Sequence, residues 1–128
     1  DPQALAVEVA AMRDKMRAAK SLKPKVFDFK HSPGGMIDAE FAVQFLVLAH
    51  AQRHPDLVKN VGNIALLEHA ESVGLLPHGM GQAAADAYRA LRHWQHQARL
   101  DEASGELPLS EAQVQHDAIA ALWRFVFS

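Results

Sequence analysis

Apolar positions recur at helical spacing along most of this chain, and one stretch departs from that pattern by being apolar almost all round. From Phe41 to Ala49 only Gln44 is polar, so no stripe of this helix suits water, and such a helix is normally one that other elements enclose. The chain enters it through Gly34-Gly35, whose missing β-carbons open backbone angles closed to other residues. Asp38 and Glu40 then bring negative charge to the helix N-terminus, where unpaired N–H groups and the macrodipole favour it. The pattern predicts a buried central rod running to about Arg53. Gln44 is expected to be a buried amide that finds hydrogen bonds on a loop or a neighbouring helix.

Around this rod the periodicity predicts four more helices. The first spans Pro2 to about Ala19, with Asp1 able to cap it and Leu5, Val9, Met12 and Met16 as its apolar stripe. Pro24 breaks the chain there. Val26 to Lys30 alternates imperfectly and reads as a short strand or extended segment, which needs a pairing partner that a neighbouring domain could supply. His31-Ser32-Pro33-Gly34-Gly35 is turn chemistry. Pro55 ends the central helix and can begin a short helical turn through Lys59. Asn60 and Asn63 are both candidate caps for a third helix carrying Ile64, Leu66, Leu67, Ala70 and Val73, which Gly74 stops. A fourth helix, Gly81 to Leu100, turns Ala84, Ala87, Tyr88, Leu91, Trp94 and Ala98 inward, with Gln82, Asp86, Arg89, His93 and His96 outward. Ala103 to Pro108 reads as a loop. Ser110 and Gln113 have the spacing of a capping box, Leu109 and Val114 that of a hydrophobic staple. Val114, Ala118, Leu122 and Phe125 stripe the last helix. The fold class is therefore all-α: a five-helix, mainly antiparallel bundle around a buried central helix, with a short extended segment near residues 26–30. Trp94 and Trp123 are expected to pack into its core.

At 128 residues the chain suits one helical domain, residues 1–128, with a single core. It holds no cysteine, which removes disulfides and thiolate metal sites and permits a reducing compartment, so a cytoplasmic location is expected. The longest apolar run is too short for a bilayer, which takes about 20 residues. The chain opens at Asp1 without methionine and already in helical register, as expected of a piece of something longer. The net charge of −2 argues against a dedicated nucleic-acid binder. It is unevenly spread: between residues 13 and 30 seven cations, Arg13 to Lys30, face only Asp14 and Asp28. This run reads either as a solvated helix face with its exit loop or as a surface for an anionic partner or nucleotide phosphates.

The eight histidines do not assemble a metal motif. His50 and His54 share a helix face, but Ala51-Gln52-Arg53 between them lacks the glutamate of a zinc protease, and His93 and His96 lack a third ligand nearby. No nucleophile elbow is present, and no Gly-Lys-Ser/Thr closes Gly34-Gly35 into a phosphate loop. Asp38 and Glu40 remain open to two readings: helix-start carboxylates, or two ligands for magnesium that would need a third acid.

Phe27-Asp28-Phe29-Lys30, then Gly34-Gly35-Met36-Ile37-Asp38-Ala39-Glu40-Phe41, then Gln44-Phe45-Leu46-Val47-Leu48 together resemble the glutamine synthetase adenylyltransferase/adenylyl-removing family. Its members carry Phe-Asp-aliphatic-Lys, Gly-Gly-aliphatic-x-Asp-x-Glu-Phe and Gln-aromatic-Leu-Val-Leu. The likeness extends to Met12-Arg13-Asp14-Lys15-Met16-Arg17 and Ala87-Tyr88-Arg89-Ala90-Leu91-Arg92. Ala39, where the family tends to a branched aliphatic residue, and Gly79 and Gly81, where it tends to a regular helix, are departures. The resemblance implies a helical domain at the C-terminus of an enzyme that transfers AMP from ATP, with magnesium, to a tyrosine of glutamine synthetase and removes it. That enzyme would answer to glutamine and the PII signal protein. Its catalytic signature, Gly-Ser followed after a spacer by Asp-x-Asp, is not found here, because only two residues separate Gly34-Gly35 from Asp38. No catalytic residue, metal ligand or cofactor is therefore assigned to this stretch, and the isolated domain is expected to be inactive. Lys30, Gly34, Gly35, Asp38, Glu40 and Gln44 are instead expected to face the catalytic nucleotidyltransferase domain of the same polypeptide and to help position its nucleotide cleft. The alternatives are the helical domain of a PII uridylyltransferase-type enzyme and a free-standing helical interaction module.

Overall fold

The computed structural model describes residues 2–19, 25–50, 53–54 and 62–127, with side chains of the first helix described through residue 16. The elements are α1 (Pro2–Ala19), β1 (Val26–Asp28), α2 (Met36–His50), α3 (Asn63–Ser72), α4 (Met80–Leu100), β2 (Glu106–Pro108) and α5 (Gln113–Phe127), with a 3-10 turn at Leu109–Glu111 before α5. This is the all-α bundle that the periodicity predicts. No helix among the described residues is long and apolar enough to cross a membrane. Asp1, Asn60 and the turn expected through Lys59 lie outside the described residues.

The short extended segment does not wait for another domain. Val26, Phe27 and Asp28 pair antiparallel with Pro108, Leu107 and Glu106, so part of the expected Ala103–Pro108 loop is a strand. Phe29 N–H donates to the Gly105 carbonyl at 2.9 Å and Leu109 N–H to the Lys25 carbonyl at 3.0 Å, extending the ladder at both ends. Pro108 sits at the end of the pairing, where its missing N–H is tolerated. The ribbon turns Phe27 and Phe29 inward, at 1% and 3% exposure, and burying each such ring contributes about 2 kcal/mol.

Two apolar clusters fill the bundle. One joins Ala42, Val43 and Leu46 of α2 to Leu66, Leu67 and Ala70 of α3, Ala84 and Ala85 of α4 and Leu122 of α5. The other gathers Phe27, Phe29, Met36 and Ala39 against Ala87, Tyr88 and Leu91 of α4 and Ile119 of α5. Trp94 leans on Phe29 at 5.7 Å between ring centroids, and Trp123 on Phe127 at 4.2 Å, both indoles half-buried.

α2 is the central helix, but its sheath is incomplete. Its Ala42, Val43, Phe45 and Leu46 are buried, whereas Gln44 is exposed and Leu48 is 55% exposed. The expectation of a buried Gln44 amide is thus overturned: an all-apolar sequence does not disclose which side its neighbours leave open. α1 is rolled relative to its predicted stripe, with Arg13 at 0% exposure while Met12 and Met16 stand at 60% and 39%. α5 is rolled likewise. Ile119 and Leu122 point in, and Val114 and Phe125 point out at 76% and 49%. The Ser110–Gln113 capping box does not form, since Ser110 lies in the 3-10 turn and Gln113 is the first residue of α5, its amide donating instead to Asp117.

Both glycines that depart from the family pattern have local reasons. Gly79 caps α4 with φ +87°, a left-handed angle that favours glycine. Gly81 lets the first turn of α4 meet α3, because a β-carbon there would overlap the Leu67 carbonyl and lie 2.7 Å from Glu71 Cβ.

Candidate functional site

The stretch from Asp28 to Glu40 is built as one knot, in which Asp28, Ser32, Asp38 and Glu40 each have an internal hydrogen-bonding task. Asp28 Oδ1 accepts from the N–H groups of Lys30 and His31, both at 2.9 Å, and Ser32 Oγ accepts from Asp28 N–H at 2.8 Å. This is the local side-chain turn for which aspartate and serine are suited. The carbonyls so presented receive the first amides of α2: Met36 N–H donates to Phe29 at 2.8 Å and Ile37 N–H to Lys30 at 3.1 Å. Helix-start donors that would otherwise stay unpaired are thereby satisfied without water.

The two glycines serve different ends. Gly34 has φ +80°, and a β-carbon on it would lie 2.7 Å from His116 Cδ2 and 2.9 Å from the His116 carbonyl. The turn therefore rests directly on the start of α5. A β-carbon on Gly35 would lie 2.9 to 3.0 Å from the carbonyls of Ser32, Lys30 and Phe29, the same carbonyls that the knot gathers.

Asp38 closes the knot from within. Its Oδ2 accepts from Gly34 N–H at 2.8 Å, and its Oδ1 accepts from Arg13 Nε at 2.5 Å. Arg13 also donates from Nη2 to the His31 carbonyl at 2.8 Å, tying α1 to the turn at two points. Both partners are nearly sealed, with side-chain exposures of 1% and 2%. Such a pair is held mainly by the cost of stranding either charge.

One helical turn beyond Met36, Glu40 Oε2 accepts from Tyr88 O–H at 2.7 Å, and Asn63 Nδ2 donates to the same hydroxyl at 3.3 Å. Burial first, and the Glu40 carboxylate second, push the Tyr88 phenol up to about 12. The triplet links α2, α3 and α4.

The six residues expected to face the catalytic domain differ in exposure. Gly34, Gly35 and Asp38 are buried, Lys30 and Glu40 are half-buried, and Gln44 is exposed on the flank of α2 that faces α1. Asp38, expected to face another domain, is only 1% exposed, so its side chain is not on the surface. Arg13, His116, Tyr88 and Asn63 complete the knot, and no sequence motif assigned them to it. Arg13 had its signal in the family-like Met12-Arg13-Asp14 stretch but stood among surface cations. His116 carries none.

These acids do not fit a magnesium site. Both oxygens of Asp38 are engaged by Arg13 and Gly34, Glu40 holds Tyr88, and Asp28 holds its own turn. No cluster of three or more histidines and acids with metal-holding geometry occurs among the described residues. On the outer face of α4, Arg89 pairs with Asp86 at 2.8 Å, and Arg92, His93 and His96 are exposed beside it. Burial, with the charges of His54 and Arg53, holds His50 below the ordinary histidine range.

An all-α bundle whose Gly-Gly turn is locked by a buried ion pair defines a helical domain, and its sequence places it in a known family: the chain belongs to the family described as GlnD PII-uridylyltransferase, whose model matches residues 7–126. Among curated proteins the similar chains carry a more particular name, bifunctional glutamine synthetase adenylyltransferase/adenylyl-removing enzyme. The one from Bordetella bronchiseptica is 46% identical over 127 residues, covering 98% of this chain and 14% of its own length. That of Aromatoleum aromaticum is 42% identical over 127 residues, 99% of this chain and 14% of its own. That of Nitrosomonas europaea is 52% identical over 93 residues, 73% of this chain and 10% of its own. The resemblance carried by the Gly-Gly-x-x-Asp-x-Glu-Phe stretch is thus met by relatives along nearly the whole chain, which spans about 14% of the length of the first of them.

Proposed function

We propose that this bundle is the C-terminal helical domain of a longer enzyme that transfers AMP from ATP to a tyrosine of glutamine synthetase and removes it, and that it positions the catalytic domain rather than carrying the chemistry. The observation that carries this reading is the agreement between the relatives' names and the commitment of Asp28, Asp38 and Glu40 to the knot. Chemistry on a nucleotide depends on placing groups and charges accurately, and a rigid knot at one end of a bundle suits a positioning role. In this reading the nucleotide and its magnesium are held by carboxylates elsewhere in the enzyme, glutamine and the PII protein act as regulators of the whole, and the bundle contributes Lys30 and its neighbouring turn as contact surface.

Asp38 is too deeply paired to serve as a contact, so Lys30 is the informative position. In the full-length enzyme Lys30→Glu is expected to lower AMP transfer to glutamine synthetase by about tenfold, the order of one misplaced positioning contact, with unchanged far-UV circular dichroism. Unaltered kinetics would remove the positioning role. The family description favours a second reading, a sister enzyme acting on PII. Offering the full-length enzyme ATP or UTP with glutamine synthetase or PII as acceptor separates the two: AMP on glutamine synthetase supports the first, UMP on PII the second.

A further inference from the structure

Between α1 and α2 runs an open apolar groove of about 270 Å3, with Leu5, Val9 and Met12 on one wall and Phe41 and Leu48 on the other. Its polar groups are Gln44 and Glu8. Met12 is 60% exposed and Leu48 55%. Large apolar side chains left together on a surface normally mark a place that something covers. The Leu5, Val9, Met12 spacing and the Phe41, Gln44, Leu48 spacing are those of parallel helical ridges, the geometry in which an amphipathic segment lies along a groove.

We infer that this groove is the seat of a segment from the same polypeptide outside residues 1–128, one that is apolar on its inner side and carries a cation opposite Glu8 and a hydrogen-bonding group opposite Gln44. The inference deepens the proposed function, resting on its reading that the bundle works within a longer enzyme. Two observations select the occupant. The matched residues make up 14% of the relatives, so most of such a protein lies outside this bundle and is tethered to it. The groove is also small: seven residues line it, against roughly 20 to 30 on each side of a stable interface between separate proteins. A patch of that size holds a second copy or a free partner poorly. It holds a tethered segment well, because tethering supplies an effective concentration on the order of millimolar.

The chain's own methionines test this without a substitution. Peroxide converts an accessible thioether to the sulfoxide, and Met36, at 5% exposure, is a slow internal standard. In the full-length protein, with oxidation followed by peptide mass spectrometry, Met12 is expected to react within about threefold of Met36; a greater ratio overturns the inference. Leu48→Glu should then speed Met12 oxidation while leaving Met36 slow, and no change overturns it. A photo-cross-linking residue at position 48 names the occupant. An adduct to the same polypeptide beyond residues 1–128 supports the inference, whereas an adduct within those residues or to a second copy overturns it. Protected Met12 in an enzyme that modifies neither glutamine synthetase nor PII would retract the proposed function and leave the docking intact, so the two fail separately.

Discussion

Arg13 and Asp38, 25 residues apart in sequence, meet at 2.5 Å across the seam between α1 and α2, and both side chains are sealed from water. The pair anchors α1, for Arg13 is the only fully buried side chain among those described in that helix. Removing one partner leaves the other charged and unpaired inside, a loss of about 3 to 5 kcal/mol. Arg13→Ala should therefore lower the urea midpoint sharply. The double variant Arg13→Met with Asp38→Asn, which leaves no charge behind, should cost less than the two single changes summed. Additive costs would show that the ion pair does not hold the seam.

Gly34 and Gly74 separate backbone strain from steric contact. Both have left-handed angles, φ +80° and +85°, but only Gly34 has a neighbour where a β-carbon would stand, namely His116. Gly74→Ala should cost the backbone term, about 1 to 2 kcal/mol. Gly34→Ala should cost that and the displacement of α5 as well, about 3 kcal/mol or more. Equal costs in denaturant titrations would mean that α5 yields freely at His116.

Glu71 gives the fold an acid-side limit. Its carboxylate accepts from Gln82 N–H at 2.8 Å at the start of α4, and the amides of Gly79 and Gln82 hold it below the usual carboxylate range. A carboxylate depressed in the folded state contributes stability above its unfolded value, lost as pH falls through the folded one. Lowering the pH from 5 to 3 should therefore reduce the melting temperature of the native chain more than that of Glu71→Gln. Parallel pH curves would show that the cap contributes nothing.

The helices were legible because each owes its existence to a period that a stretch of sequence can express. Pro2–Ala19 matches the structure for that reason, whereas Gly74 ends its helix through a left-handed angle that favours glycine. The roll of a helix about its own axis was less legible. In α1 the apolar stripe pointed to Met12 and Met16, yet Arg13 is inside, because a buried cation is decided by a carboxylate 25 positions away that no local period records. β2 escaped notice because three residues including a proline make no alternation. Within the knot, Gly34, Gly35 and Asp38 announced themselves through residue type. Their partner His116 did not, since its part is to offer a flat backbone and ring to a glycine.

Tyr88 sets the alkaline limit and can be isolated by a single oxygen atom. Its hydroxyl donates to Glu40 and accepts from Asn63, and burial with the Glu40 charge raises the phenol from 10.0 to about 12. For an acid whose folded value is the higher one, the folded state prefers the neutral form. Its stabilisation is present below the unfolded value near 10 and is lost progressively as pH rises from there toward 12. Tyr88→Phe removes the hydroxyl and leaves Glu40 and Asn63 without their shared partner, a cost of about 1 to 2 kcal/mol near neutral pH. The same variant no longer has a phenol to ionise, so its deficit against the native chain should shrink between pH 9.5 and 11.5. Other groups titrate in both proteins and cancel in that difference. Thermal melts of the two chains across that range decide the matter, and a deficit that stays constant would show that the Tyr88–Glu40 link is not held in the folded state.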